Sequence, residues 1–334
     1  MATRNDVAKL AGVSGATVTR VISNSSLVSS ETREKVLEAV RALNYHPNYS
    51  GQLLRGKSTY QILFYCPELY NPFYVHVYYG MDDYAQKHGY SIVLTRHFDE
   101  EAILRGRYDG IVLSISHKKK QQPHMDFLTK SDIPFACALF SGEETDILGV
   151  KIDGQQAAKL ALDHLYGLGH RQIVYVTDVA EEYDGKWEKL REYAKTLDGV
   201  ACSRMVLKPG PELYDNLYEA GYLYADHIYR MIHLPTAVIA ANDALATGLI
   251  SGLQQKGMRL PEELSVIGFD DTFMSRFTVP PLTTVHFPKY EMGQTLIEGL
   301  LAVINGNKFE NVSLPSRLIV RESTAQAPNI QSPC

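Results

Sequence analysis

The stretch DVAKLAGVSGATVTRVISN, residues 6–24, decides how the rest of the chain is read. Thr3 stands where a helix N-cap is wanted, and Val7, Ala8, Leu10 and Ala11 follow as an apolar stripe at helical spacing. Gly12 supplies the backbone freedom of a helix C-terminal turn. Ser14 caps a second helix on which Thr17, Val18 and Val21 face inward. A third start follows at Ser29, with Val36, Val40 and Leu43 at i, i+4 and i+7, before Pro47 ends the segment. Two short helices across an Ala-Gly-Val-Ser turn, braced by a third, describe a helix-turn-helix domain. Spacing alone fits any small three-helix bundle as well.

Charge is divided unevenly around this stretch. Residues 1–60 hold Lys9, Lys35, Lys57, Arg4, Arg20, Arg33, Arg41 and Arg55 against Asp6, Glu31, Glu34 and Glu38, a net +4. The chain as a whole carries −5, so the remainder holds −9. A basic head on an acidic body points to a polyanionic partner at one end only. At 334 residues the chain is about twice a single domain, and 45% hydrophobic content is ample for a buried core. Cys66, Cys137, Cys202 and Cys334 form no CxxC pair and read as free thiols. The opening MATRNDVAKLAGVS reads as a folded helix instead of an export signal, and no apolar run approaches roughly 18 residues. A cytoplasmic protein that does not engage a membrane is expected.

Beyond residue 60 the pattern alternates. β-Branched apolar runs lie at 61–66, 90–95, 110–116, 134–140, 172–178, 237–243 and 264–271. Amphipathic helical stretches at 74–88, 154–168, 213–232, 244–256 and 289–304 fall between most of them. This alternation predicts a parallel α/β sheet, and so many units favour two doubly wound halves over one very wide sheet. Ligands in such folds bind beyond the carboxyl ends of the strands. That rule nominates Tyr70–Tyr74, Ser114–Ser116, Phe140–Ser141, Asp178–Trp187, Asn242 and Asp270. Asp243 is expected to cap the helix that follows it.

The head, with VSSETREKVLEAVRALNYHPN after it, resembles the N-terminus of the lac-repressor (LacI/GalR) family of transcription regulators. NPFY (71–74), LGHRQIVYV (168–176), AANDALATG (240–248), LSVIGFDD (264–271) and PPLTTV (280–285) carry the resemblance through nearly the whole chain. It implies an all-α helix-turn-helix domain over 1–46, a hinge over 47–59, and an α/β core over 60–334. The core would be periplasmic-binding-protein-like, with two doubly wound parallel-sheet lobes, about 60–152 with 287–314 and about 153–286 with 315–330. The second helix would enter the major groove, with Gly15, Ala16 and Arg20 at base edges and Ser14, Thr17 and Asn24 near phosphates. Arg20 is the specific reader, because its fork bonds bidentately to guanine. Gly15 and Ala16 replace larger polar residues and bring no side-chain donors. NYSGQLLR (48–55) resembles the hinge helix, in which Asn48 joins the DNA contacts and Leu54 wedges into the minor groove.

In the core, the resemblance implies that Asn242 and Asp270 hydrogen-bond an effector, Asp270 accepting from sugar hydroxyls. Lys189 stands for the family's arginine and Phe287 for its glutamine, while Tyr70, Phe73, Tyr74 and Trp187 offer faces for stacking on pyranose rings. Residues 96–109 read as a short crossover where a longer helix is usual, and PPLTTV as a segment crossing between lobes. The chain would therefore be a repressor of sugar-utilisation genes, bound to pseudo-palindromic operator DNA as a homodimer and controlled by a small carbohydrate. The final RLIVRESTAQAPNIQSPC has no leucine heptads, which favours a dimer over a tetramer.

Other classes fit poorly. There are no paired carboxylates, no GxSxG elbow, no metal-ligand cluster and no sign of a cofactor, so no catalytic residue is nominated. GQLLRGKS (51–58) satisfies the P-loop pattern GxxxxGK(S/T), but it follows a helical segment and precedes a strand, the reverse of the order that cradles phosphate. A carbohydrate-binding protein without gene control would not need the basic head. A regulator governed by a phosphorylated carrier protein in place of a free sugar stays compatible with the residues.

Overall fold

The structure is a computed structural model that describes residues 2–22, 28–43, 45, 58–115, 118–140, 148–178, 184–206, 216–231 and 233–328, without the side chains of 115, 118–121 and 139–140. The chain divides into two units, Met1–Thr59 and Tyr60–Cys334.

The first unit contains α1 (Arg4–Ala11), α2 (Gly15–Ile22) and α3 (Ser30–Ala42). A capping box opens α1: Asp6 N–H donates to Thr3 Oγ1, and Asp6 Oδ2 accepts from Thr3 N–H at 2.8 Å. Gly12, at φ +65°, ends the helix in the left-handed conformation that the turn requires. Ser14 Oγ accepts from Thr17 N–H at 3.1 Å, and Ser29 Oγ from Thr32 N–H at 3.3 Å. Val7, Val18 and Val36 are fully buried and form the core with Ala8, Val21 and Ala39. Leu10 is 56% exposed, against expectation. The buried arc centres on Val7, Ala8 and Ala11, and helical geometry carries Leu10 about 110° away from it. Thr17 is half-buried and turned to the cap. α3 stops at Ala42, capped at Leu43 whose N–H bonds Ala39 O, before Pro47, which lies outside the described residues.

The second unit holds two six-stranded sheets. In the first, β1 (Gln61–Tyr65), β2 (Ser91–Thr95), β3 (Gly110–Ile115), β4 (Phe135–Phe140), β5 (Gly149–Ile152) and β11 (Val312–Leu314) lie in the order β2-β1-β3-β4-β5-β11, all parallel. In the second, β6 (Gln172–Thr177), β7 (Ala201–Val206), β8 (Ala237–Ala240), β9 (Ser265–Asp270), β10 (Thr283–His286) and β12 (Arg317–Ile319) lie in the order β7-β6-β8-β9-β10-β12. Only β12 runs antiparallel, against β10. Every residue of β8 and β9 is buried, as strands covered on both faces demand. Strand order reverses between β1 and β3, and again between β6 and β8, which are the switch points where such sheets open a crevice. The chain passes to the second sheet after Ile152, back after His286, and over once more after Leu314.

Between strands run α4 (Pro72–Lys87), α5 (Glu100–Gly106), α6 (Lys118–Lys130), α7 (Gly154–Gly167), α8 (Gly185–Ala194), α9 (Leu217–Tyr229), α10 (Asp243–Gln255) and α11 (Lys289–Ile304). Two helix pairs meet backbone to backbone through glycine. A Cβ on Gly80 of α4 would overlap the Tyr290 carbonyl of α11, and one on Gly248 of α10 would overlap the Tyr218 carbonyl of α9. The 96–109 crossover does contain a helix, α5, capped by Asp99. PPLTTV is more than a crossing segment: its Thr283–Val285 lie in β10, buried between β9 and β12.

Candidate functional site

Two sites emerge, one on each unit. On the first, the leading turn of α2 is bare. Gly15 is half-buried, while Ala16, Thr19 and Arg20 are exposed. Ser14 and Thr17 hydroxyls bond each other at 2.9 Å beside the helix start, where free backbone N–H groups favour a phosphate. Arg20 ends the same face. Asn24, Asn48 and Leu54 lie outside the described residues.

On the second unit the carboxyl ends of the strands gather an aromatic and ionic cluster. Asp270 ends β9 at 4% exposure, and its Oδ2 has no hydrogen-bond partner. Its backbone sits at φ +108°, followed by Asp271 at +51°, conformations that L-residues hold only where neighbours enforce them. Burial raises the Asp270 carboxyl, while the ammonium groups of Lys186 and Lys289 pull it back. Lys289 Nζ donates to the carbonyls of Asp270, Asp271 (3.3 Å) and Phe287 (3.2 Å), so a residue of α11 ties the end of β9 to the crossing segment. Burial depresses both lysines, opposed in each case by Asp270 first.

Aromatic side chains from both halves close around these charges. Phe287 is fully buried, stacked on Phe269 at 5.9 Å and edge-on to Phe73 at 6.4 Å. Tyr74 meets Phe73 edge to face at 5.1 Å, and its phenol is raised by burial and then by the charges of Glu68, Cys66 and Asp270. Tyr70 packs half-buried at the margin. Trp187 is buried with its ring on Tyr175 (5.8 Å, 9° between planes).

Three expectations change here. Lys189 stays out of the cluster and pairs with Glu192 at 3.4 Å. The lysine that enters is Lys186, whose Nζ donates to Ala241 O and lies 4.4 Å from the Phe269 ring centre. The reason is the cap: Asp184 Oδ1 accepts from Trp187 N–H at 3.0 Å, so α8 starts at Gly185 and its first turn faces the strand ends. An Asp three residues before Trp187 was the available signal. Secondly, Asn242 and not Asp243 caps α10, its Oδ1 accepting from Leu245 N–H at 2.9 Å. Asp243, one residue inside, instead accepts from Thr272 N–H (2.7 Å), Thr272 Oγ1 and Thr284 Oγ1 (2.6 Å), pinning β9 and β10 to α10. Burial, then the Asp270 charge, raises its carboxyl against those bonds. Thirdly, Phe287, expected among the effector residues in place of the family's glutamine, shows no surface and packs against Phe269 and Phe73. Asp184, inside the nominated Asp178–Trp187 stretch but given no role there, has a buried Oδ2 with only Arg204 at 3.7 Å.

Among the described residues no three His, Cys, Asp or Glu side chains gather as for a metal ion, and no helix is long and apolar enough to cross a membrane. Cys66, Cys137 and Cys202 are free, and burial pushes each thiol up to about 12.

A helix-turn-helix head carried with a two-sheet clamp defines a ligand-responsive regulator of transcription. Residues 3–48 match the family of bacterial regulatory proteins, lacI family, and residues 162–324 match a periplasmic binding protein-like domain. The catabolite control protein A of Priestia megaterium is 32% identical over 96% of this chain and 98% of its own. The lac repressor dimer bound to operator and the anti-inducer ONPF is similar at TM-score 0.77 and 26% identity, over 97% of this chain and 99% of that one. A complex of the transcriptional regulator CelR with cellobiose is similar at TM-score 0.65 and 27% identity, over 97% and 100%. The chain belongs to the lacI family of bacterial regulatory proteins, and it is a regulator of transcription, not an enzyme.

Proposed function

We propose that this protein is a cytoplasmic, homodimeric repressor of sugar-utilisation genes whose hold on operator DNA is set by a small carbohydrate in the core. The observation that carries the ligand class is Asp270. A buried carboxylate oxygen without a donor is costly, and hydroxyl groups are the donors that satisfy it without adding charge. Asn242 supplies an amide donor beside it, Tyr70, Phe73, Tyr74 and Trp187 the apolar walls for sugar C–H faces, and Lys186 the cation first sought at Lys189. The CelR–cellobiose complex supports a sugar as the ligand.

On DNA, Arg20 reads a base while Ser14 and Thr17 hold phosphate, and the hinge with Asn48 and Leu54 completes each half-site together with Asn24. Two-fold pairing of chains matches a pseudo-palindromic operator. The lac repressor dimer on operator supports this, as does an apolar patch of Phe273, Phe277 and Val279, which are 64%, 61% and 72% exposed. A sugar alters operator affinity only through different affinities for two arrangements of the core.

The test is to melt the full-length protein with a panel of mono- and oligosaccharides and their phosphates. A ligand at 100 times its Kd adds about 2.7 kcal/mol and lifts the midpoint by several degrees. A selective sugar whose effect vanishes in Asp270→Asn is the expected result. A flat panel, or a hit unaffected by that substitution, would count against the assignment.

A further inference from the structure

The start of α2 presents a puzzle, because Gly15 and Ala16 bring no donors to the positions where a recognition helix meets base edges. The space is occupied all the same. A Cβ built on Gly15 would lie 3.5 Å from Arg4 Nε, 3.9 Å from Arg4 Cζ and 3.7 Å from Asn5 Oδ1. The Arg4 guanidinium therefore lies over the bare first turn of α2, although it belongs to α1. Its Nη1 points to Thr19 Oγ1 at 3.5 Å, the outer limit of a hydrogen bond, and that hydroxyl is itself committed to Gly15 O at 3.0 Å.

The helical rows make the arrangement explicit. Gly15 and Thr19 form one i, i+4 row, and Ala16 and Arg20 the next. Arg4 covers the first row and Arg20 stands at the end of the second, so two guanidinium groups flank one exposed face. Among the described residues no carboxylate is in ion-pair reach of Arg4, and its side chain is exposed. It is thus held by one weak bond and van der Waals contact, with donors left to give.

We propose that Arg4 is a second base-reading residue, supplying from α1 the hydrogen-bond donors that Gly15 and Ala16 lack. This rests on the reading that α2 enters the major groove. A guanidinium fork there takes guanine O6 and N7 together, which a lysine point charge does not reproduce. The competing role is a phosphate contact, since the first helix of such motifs crosses the DNA backbone. Position decides against it: the fork lies on the first turn of α2, the part that meets the bases. Gly15 is then part of the device, because a longer side chain there would take the place of Arg4.

The experiment is selection from a library of DNA duplexes with a randomised centre, using the full-length protein, Arg4→Lys and Gly15→Gln. The wild type is expected to enrich a two-fold symmetric motif. Arg4→Lys should lose the guanine preference at one position of each half-site and bind the wild-type motif about ten- to a hundredfold more weakly. Gly15→Gln, whose Cβ fits at ordinary contact distance, should change preference at that same position. If Arg4→Lys enriches the unchanged motif, or weakens binding equally on every sequence, Arg4 is a phosphate contact and the proposal falls. If Gly15→Gln alters other positions only, it falls as well. A wild type that enriches no motif would instead overturn the DNA-reading assignment of α2 itself.

Discussion

Asp271 sits between His286 and Arg321, and its titration is the clearest electrostatic consequence in the core. Burial alone would raise its carboxyl, but hydrogen bonds from His286 (2.9 Å) and Arg321 (2.6 Å) hold it well below the usual carboxylate range. A carboxyl lowered on folding stabilises fully above its unfolded value, and that contribution is lost as pH falls through the folded one. Wild type should therefore lose stability below about pH 4 by a route that Asp271→Asn lacks. Urea midpoints at pH 7 and pH 3 should differ less in the variant, and an equal difference would remove Asp271 from the account. At the other site, Arg20→Ala should cost about 1–3 kcal/mol on the operator and far less on random DNA. Equal losses on both, measured by fluorescence anisotropy, would make Arg20 a phosphate contact.

Helix pairs carry the packing, and here the glycines divide into two kinds. Gly248 lies where α10 crosses α9, and the Tyr218 carbonyl leaves no space for a methyl group. Gly248→Ala should cost about 1–3 kcal/mol, because backbone cannot step aside as a flexible side chain can. Gly167 ends α7 with nothing within 4 Å of a Cβ, so Gly167→Ala should be neutral or gain up to about 1 kcal/mol. Denaturant unfolding of the two variants checks the contrast. Long elements of this kind were legible beforehand: α4, α7, α10 and α11 were read from periodicity, and β1, β6, β8 and β9 from apolar runs. Short edge strands escaped. β11 and β12 have three residues each, and β7 has no fully buried position, so none carries an apolar run long enough to stand out. In the site, Asp270, Asn242 and the aromatics were nominated by the strand-end rule. Lys186 fell inside the nominated Asp178–Trp187 stretch without being singled out, because the choice between it and Lys189 depended on where α8 begins, which Asp184 fixes through its side chain.

For the whole molecule, the exposed Phe273, Phe277 and Val279 set the next expectation. Phe273 and Phe277 rings touch at 4.9 Å, so the patch is continuous. Phe277→Asp should shift the protein from dimer to monomer in sedimentation, and should weaken operator binding about a hundredfold as one half-site is lost. A variant that stays dimeric would assign pairing to another face. The three passages of the chain between sheets have a separate outcome during synthesis. The first sheet has five strands by Ile152, but its edge strand β11 and the helix α11 that covers α4 come only with residues 289–314. At the roughly 5–20 residues per second of translation, that is a wait of about ten to thirty seconds. Throughout it, the nascent chain on the ribosome carries an uncapped β5 and a bare glycine face on α4, both open to wrong pairing. The second sheet waits only for β12, and so the N-terminal half stays incomplete for longest while the chain is made.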